Sequence, residues 1–144
     1  MLLSKEIAVS LNLSACMLKK YTAAILKQNK VGLTPEQFLL VDLLWNQGPM
    51  SQQKIADLMQ KDKNSITKLV DALEKKKLVV RKQDETDRRS NSIILTKKAE
   101  NMKSGAKETG ISMLDHILEG ISEEELRGML STLAKLSKNM DTHD

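Results

Sequence analysis

Apolar residues recur with helical spacing along most of the chain and change to a two-residue period only near its middle. Over 3–28, Ile7, Leu11, Leu18 and Ile25 share one stripe, widened by Leu3, Leu13, Met17 and Ala24, which predicts a long first helix. A stripe this wide on a terminal helix needs a large partner surface, either within the same subunit or on a second one. Thr34-Pro35-Glu36-Gln37 is a helix start, with Thr34 at the N-cap, Pro35 at the first helical position and Gln37 completing a capping box. Phe38, Val41, Leu44 and Trp45, with Leu39, Leu40 and Leu43 beside them, predict burial on most faces, and Gly48-Pro49 ends the helix. Ser51 opens a short helix to about Met59 with Ile55, Ala56 and Met59 inward. After the turn Gln60-Lys61-Asp62, Asp62 is expected to cap a helix over 63–76, where Ile66, Leu69, Val70 and Leu73 form one tight stripe. Two short helices on so short a turn describe a helix-turn-helix, although a generic helical hairpin shares that outline.

The period then changes. Residues 78–82 and 92–95 are rich in β-branched residues, and 83–91 between them is polar throughout, the pattern of a β-hairpin with a long exposed tip. Thr96 caps a further helix over 97–119 on a stripe of Ala99, Met102, Ala106, Met113 and Ile117, with Gly105 and Gly110 marking a bend or a close approach to another helix. Ser122-Glu123-Glu124-Glu125 is a second capping box, opening a helix to about Asn139 along Leu126, Met129, Leu130, Leu133 and Leu136. The fold class expected is mainly α with a small β-hairpin wing, a winged helix-turn-helix flanked by N- and C-terminal helices.

Charge sharpens this outline. The net charge is +4, with residues 60–98 at +6, 99–144 at −4 and 1–59 at +2. A central basic segment is an anion-binding surface in prospect, nucleic acid first, against the alternative of an ordinary solvated Lys-rich face. A helix in the major groove reads bases mostly from its N-terminal residues, here Lys63, Asn64, Ser65, Thr67 and Lys68. Asn suits adenine, Lys suits guanine acceptors, and Ser65 and Thr67 suit phosphates. Ser51, Gln52 and Gln53 open the preceding helix and are placed to hold the DNA backbone. On the wing, Arg81, Lys82, Arg88 and Arg89 are the candidate contacts, an arginine in a narrow minor groove gaining from its negative potential. Asp87 is placed to orient Arg89.

Residues 33–98 resemble the DNA-binding core of the MarR family. The resemblance rests on Leu33-Thr34 with Gln37-Phe38, on Ile55-Ala56, on Asn64 to Asp71 with Leu73-Glu74, and on Asp87-Arg88-Arg89 leading to Ile94-Leu95-Thr96. It implies a homodimer whose N-terminal helix (1–30) and C-terminal helices (99–144) interlock, leaving 31–98 as the DNA-binding lobe. It further implies binding to double-stranded DNA at a palindromic operator, in the sense of a repressor, with release by a small aromatic effector. One departure stands out: the position before Leu78, often Gly in the family, is Lys77, which takes a left-handed helix end only at some cost.

Other classes find less support. The histidines are His116 and His143 alone, and the sequence shows no metal-ligand cluster, phosphate loop or nucleophile–base set. No enzyme, cofactor or metal is expected. No apolar run reaches the ~20 residues of a membrane span, and 1–13, interrupted by Lys5, Glu6 and Asn12, makes a poor signal peptide. Cys16 is the single cysteine, which rules out an internal disulfide and makes a reducing, cytoplasmic setting the expectation. It reads as a packing residue. Two alternatives remain at this point: a winged-helix protein-interaction module that binds no DNA, and a regulator that responds to oxidants through Cys16.

Overall fold

The computed structural model describes residues 2–83, 86 and 91–141. Its elements are α1 (Leu3–Gln28), α2 (Pro35–Gln47), β1 (Met50–Ser51), α3 (Gln52–Met59), α4 (Lys63–Lys75), β2 (Val79–Gln83), β3 (Asn91–Leu95), α5 (Lys97–Ile117) and α6 (Glu123–Met140). The chain divides into two compact units, Met1–Ile111 and Ser112–Asp144.

In the first unit, α2, α3, α4 and a small antiparallel sheet enclose one core. The sheet runs β1-β3-β2, with Val79 opposite Leu95 and Met50 opposite Ile93. β2 and β3 are the predicted hairpin, with β2 one residue later at both ends than 78–82 and β3 beginning one residue before 92. β1 was not anticipated. Leu40, Ile55, Ile66, Val70, Leu73 and Ile93 are fully buried, each contributing about 1.5–3 kcal/mol by leaving water. Trp45 anchors α2 to α5. Its indole N–H donates to the Ala99 carbonyl at 3.1 Å, and its ring meets Phe38 edge-on with centroids 6.3 Å apart. The two glycines of α5 differ: a Cβ on Gly110 would lie 3.3 Å from Phe38 Cζ, whereas Gly105 faces open space. The close approach is therefore at Gly110.

The helix ends follow the local chemistry. Gln37 N–H donates to Thr34 Oγ1 and Thr34 N–H to Gln37 Oε1, both at 3.2 Å, so the capping box forms as expected. Asp62 does occupy an N-cap, but its carboxylate accepts from the Ser65 hydroxyl rather than from a backbone amide. Three helices end in the same way. After α1, α3 and α4 the chain turns through Lys30, Gln60 and Lys77 at φ +53°, +54° and +62°. The next amide then reaches back to Leu26, Ala56 and Leu73 respectively, a hydrogen-bonded closure that normally employs glycine. Lys77 thus takes the strained conformation foreseen for it. Lys77→Gly is expected to stabilise the lobe by about 0.5–1 kcal/mol and to raise the melting temperature by about 1–4 °C. A thermal melt checks this, and a lower midpoint would mean that Lys77 contributes more than its backbone.

α1 carries its stripe where expected, yet much of it is solvent-facing on the single chain. Leu3, Ile7, Leu11, Leu13, Met17 and Leu18 are exposed, and Leu26 is the buried residue of the helix. Cys16 is exposed too, so it does not pack inside its own subunit as its sequence context suggests. In the second unit, Gly120 at φ +78° turns the chain into the Ser122–Glu125 capping box, which forms as predicted. No described residue of α6 is buried. Met129 and Leu130 are exposed, and Leu126, Leu133 and Leu136 are half-buried.

Candidate nucleic-acid interface

α3 and α4 are joined by Gln60, Lys61 and Asp62, as a helix-turn-helix requires. The apolar stripe Ile66, Val70 and Leu73 pins α4 to the core, so the rotation of the helix is fixed and its other face is presented outward. On that face Lys63, Asn64 and Lys68 are exposed. The first two turns of α4 therefore offer two ammonium groups and a carboxamide to solvent.

The remaining sequence candidates divide into two groups. Ser51 caps α3, its Oγ accepting from Lys54 N–H at 3.1 Å. Gln53 is exposed and donates to Asp57 at 3.0 Å. Ser65 is half-buried and donates to Asp62, and that hydrogen bond first of all holds the Asp62 carboxyl below its ordinary range. Gln52, Thr67 and Arg81 form a different group, hydrogen-bonded to one another inside the lobe. Gln52 Nε2 donates to Thr67 Oγ1 at 3.1 Å, and Arg81 Nε donates to Gln52 Oε1 at 2.9 Å. Lys82 is exposed on β2, opposite Ser92. Asp87, Arg88 and Arg89 lie outside the described residues.

A second charged cluster had not been read from the sequence. Glu36, at the start of α2, accepts from Lys19 of α1 at 2.9 Å and lies 3.4 Å from Lys61 Nζ in the turn between α3 and α4. The Lys19 hydrogen bond, joined by attraction to Lys61, holds the Glu36 carboxyl below the usual glutamate range. A carboxylate whose folded pKa is depressed adds stability above its unfolded pKa and loses it as pH falls through the folded value. Glu36→Gln is therefore expected to cost about 0.2–1 kcal/mol at neutral pH, as for a largely exposed pair. That difference should shrink as pH falls below the ordinary glutamate range and vanish once the folded carboxyl is itself protonated. Denaturant melts of both proteins at neutral and acid pH test it; a pH-independent difference would assign the effect to packing.

Among the described residues no three His, Cys, Asp or Glu side chains converge on a possible metal site, and no helix is long and apolar enough to cross a membrane.

A helix-turn-helix with a paired hairpin behind it, set on a core that holds α4 face-outward, defines a winged helix-turn-helix protein of the DNA-binding class. Residues 33–90 match the sequence model of the MarR family. The transcriptional regulator MhqR of Bacillus subtilis is 32% identical over 111 residues, covering 77% of each chain. A MarR-family transcriptional regulator from Rhodococcus sp. RHA1 superposes with a TM-score of 0.82 at 27% identity, over 94% of this chain and 95% of that one. The Staphylococcus aureus protein MepR, crystallised with DNA, shares the fold with a TM-score of 0.84 at 24% identity, over 92% and 97%. The chain belongs to the MarR family of transcriptional regulators.

Proposed function

We propose that this regulator acts as a homodimer on an inverted-repeat operator, in the sense of a repressor, reading bases from the first two turns of α4. The observation that carries the reading is the outward face of α4, where Lys63, Asn64 and Lys68 stand exposed opposite the buried Ile66, Val70 and Leu73. Lys63 and Lys68 serve guanine acceptors or phosphates, and Asn64 an adenine edge. Ser51, Gln53 and Ser65 sit at the starts of α3 and α4, where backbone amides favour phosphate. Lys82, with Arg88 and Arg89 beyond it in sequence, extends the basic track along the wing.

The dimer follows from α1 and α6, whose apolar positions remain exposed on one chain. Residues 1–30 and 99–144 are then the dimerisation segments and 31–98 the DNA-binding lobe. Such a dimer covering a promoter excludes the polymerase, which gives repression. MepR in complex with DNA supports the DNA-binding mode. A recess beside α1 and α2 supports the effector reading. An open recess of about 380 Å³ is lined by Ala23, Leu26, Leu33 and Pro35 with Lys27 and Lys76, a size and chemistry suited to a small aromatic anion. A non-enzymatic role in the cytoplasm completes the reading.

The test is selection of sites from a random duplex pool, with the bound complex sized at moderate salt. An inverted repeat carrying one dimer, with affinity falling steeply as salt rises, is the expected result. Recovery of no preferred sequence, from protein refolded to strip any bound ligand, would favour a protein-interaction module instead. Oxidant-induced release that disappears in Cys16→Ser would move the effector reading to the thiol. On the selected site, Asn64→Ala is expected to cost about 1–3 kcal/mol and to relax preference at one base pair per half-site. Equal loss on all duplexes would contradict base reading by Asn64.

A further inference from the structure

Arg81 lies on β2, in the wing, where a basic side chain invites assignment as a DNA contact. Its surroundings say otherwise. The side chain is 22% exposed, and all three guanidinium nitrogens donate within the lobe. Nε donates to Gln52 Oε1 of α3 at 2.9 Å, and Nη1 donates to the Glu74 carboxylate of α4. Nη2 pairs with the Asp71 carboxylate at 2.9 Å and reaches the Thr67 carbonyl at 3.4 Å. Gln52 passes the connection on, donating to Thr67 Oγ1, which itself donates to the Lys63 carbonyl at 3.0 Å. One side chain on the wing strand therefore ties down the start of α3 and three successive turns of α4, from Lys63 to Glu74.

We infer that Arg81 is a positioning residue. It fixes the angle at which α4 meets the DNA, and it does so through Gln52, Thr67, Asp71 and Glu74 rather than by touching a phosphate. The apolar core sets which face of α4 points outward, but apolar packing is non-directional and tolerates small rotations. A planar fork with fixed donor directions does not. The fork also neutralises Asp71 and Glu74, two carboxylates on the helix that approaches a polyanion. The inference rests on the reading of α4 as the base-reading helix, and its test separates the two.

The chemistry gives an opposite sign for the two roles. If Arg81 bonded a phosphate, its removal would lower the salt slope by about 0.9 per phosphate and weaken all duplexes alike. Removing a nearby acid would then strengthen binding. If Arg81 positions α4, Glu74→Gln, Arg81→Ala and Arg81→Lys are all expected to weaken the selected operator by about tenfold. They should leave the salt slope and the affinity for random duplex unchanged within about twofold. Lysine does not rescue, because a compact ammonium cannot reproduce the planar fork that spans four acceptors on two helices.

A DNA-free measurement runs alongside. Amide hydrogen exchange in α3 and α4 is expected to speed up about tenfold in Arg81→Lys, with α2 unchanged, as local opening without global unfolding requires. A reduced salt slope, a tighter operator complex in Glu74→Gln, or unchanged exchange in α4 would each overturn the positioning role. Failure of the parent protein to prefer any duplex would instead defeat the α4 reading, while the exchange data would still decide whether Arg81 holds the helix.

Discussion

Replacing Lys63 and Lys68 together by glutamate is expected to reduce operator affinity by about a thousandfold or more. A dimer presents four of these ammonium groups, and a charge-assisted hydrogen bond contributes roughly 1.5 kcal/mol or more. Four of them thus amount to about 6 kcal/mol, some four decades in the binding constant. Part of the deficit is recovered when long side chains find other phosphates, and the reversed charge adds repulsion. The slope of log affinity against log salt should fall by about three to four, at about 0.9 for each phosphate that is no longer neutralised. Both lysines are exposed and stand apart from the buried stripe of α4, so the melting temperature should hold. Titration of the selected duplex at several salt concentrations reads affinity and slope together. An affinity within a few-fold of the parent would remove α4 from the interface.

Leu11→Asp combined with Leu18→Asp on α1 is expected to convert the proposed homodimer to a monomer. Both leucines lie on the helical stripe and are 41% and 45% exposed on the single chain, unusual for a row of large apolar side chains with no further role. In an isologous interface each substitution occurs twice. A carboxylate left in an apolar interface costs several kcal/mol, so four of them exceed what a homodimer of this size can bear. Sedimentation at micromolar concentration should show halved mass. Binding to an inverted repeat should fall toward that of a half-site, because the second lobe is no longer tethered to the first. A protein that retains its mass would place the apolar stripe of α1 outside the subunit interface.

The parts of this fold that were legible in the sequence are those decided locally. The capping boxes at Thr34 and Ser122 place hydroxyl and carboxamide or carboxylate partners three residues apart, and both formed. The stripe of α4 and the change of period at Leu78 are likewise properties of short stretches. β1 was not legible, because two residues carry no period and Met50 and Ser51 become a strand only by pairing with Ile93 and Ser92. The role of Arg81 was hidden for a similar reason. It depends on the register of β2 and on the direction of α4, neither of which follows from sequence spacing. A faint signal existed in Asp71 and Glu74, two acids one turn apart on the helix just before a lone arginine on the next strand. Exposed candidates such as Lys63, Asn64 and Lys68 were easier, since they need only lie opposite the apolar stripe. The Glu36 cluster joins three elements, so the sequence showed its members but not their meeting.

Trp45 is the chain's single tryptophan. It is buried against Phe38 and bonded to the carbonyl of Ala99, so it spans the joint between α2 and α5. That gives the protein a built-in optical reporter. Emission excited selectively from the indole comes from this one place, blue-shifted while the joint is closed and red-shifted once water reaches the ring. Opening of this joint by heat or denaturant can therefore be followed without any label. Disappearance of the signal reports failure of the DNA-binding lobe itself rather than separation of subunits.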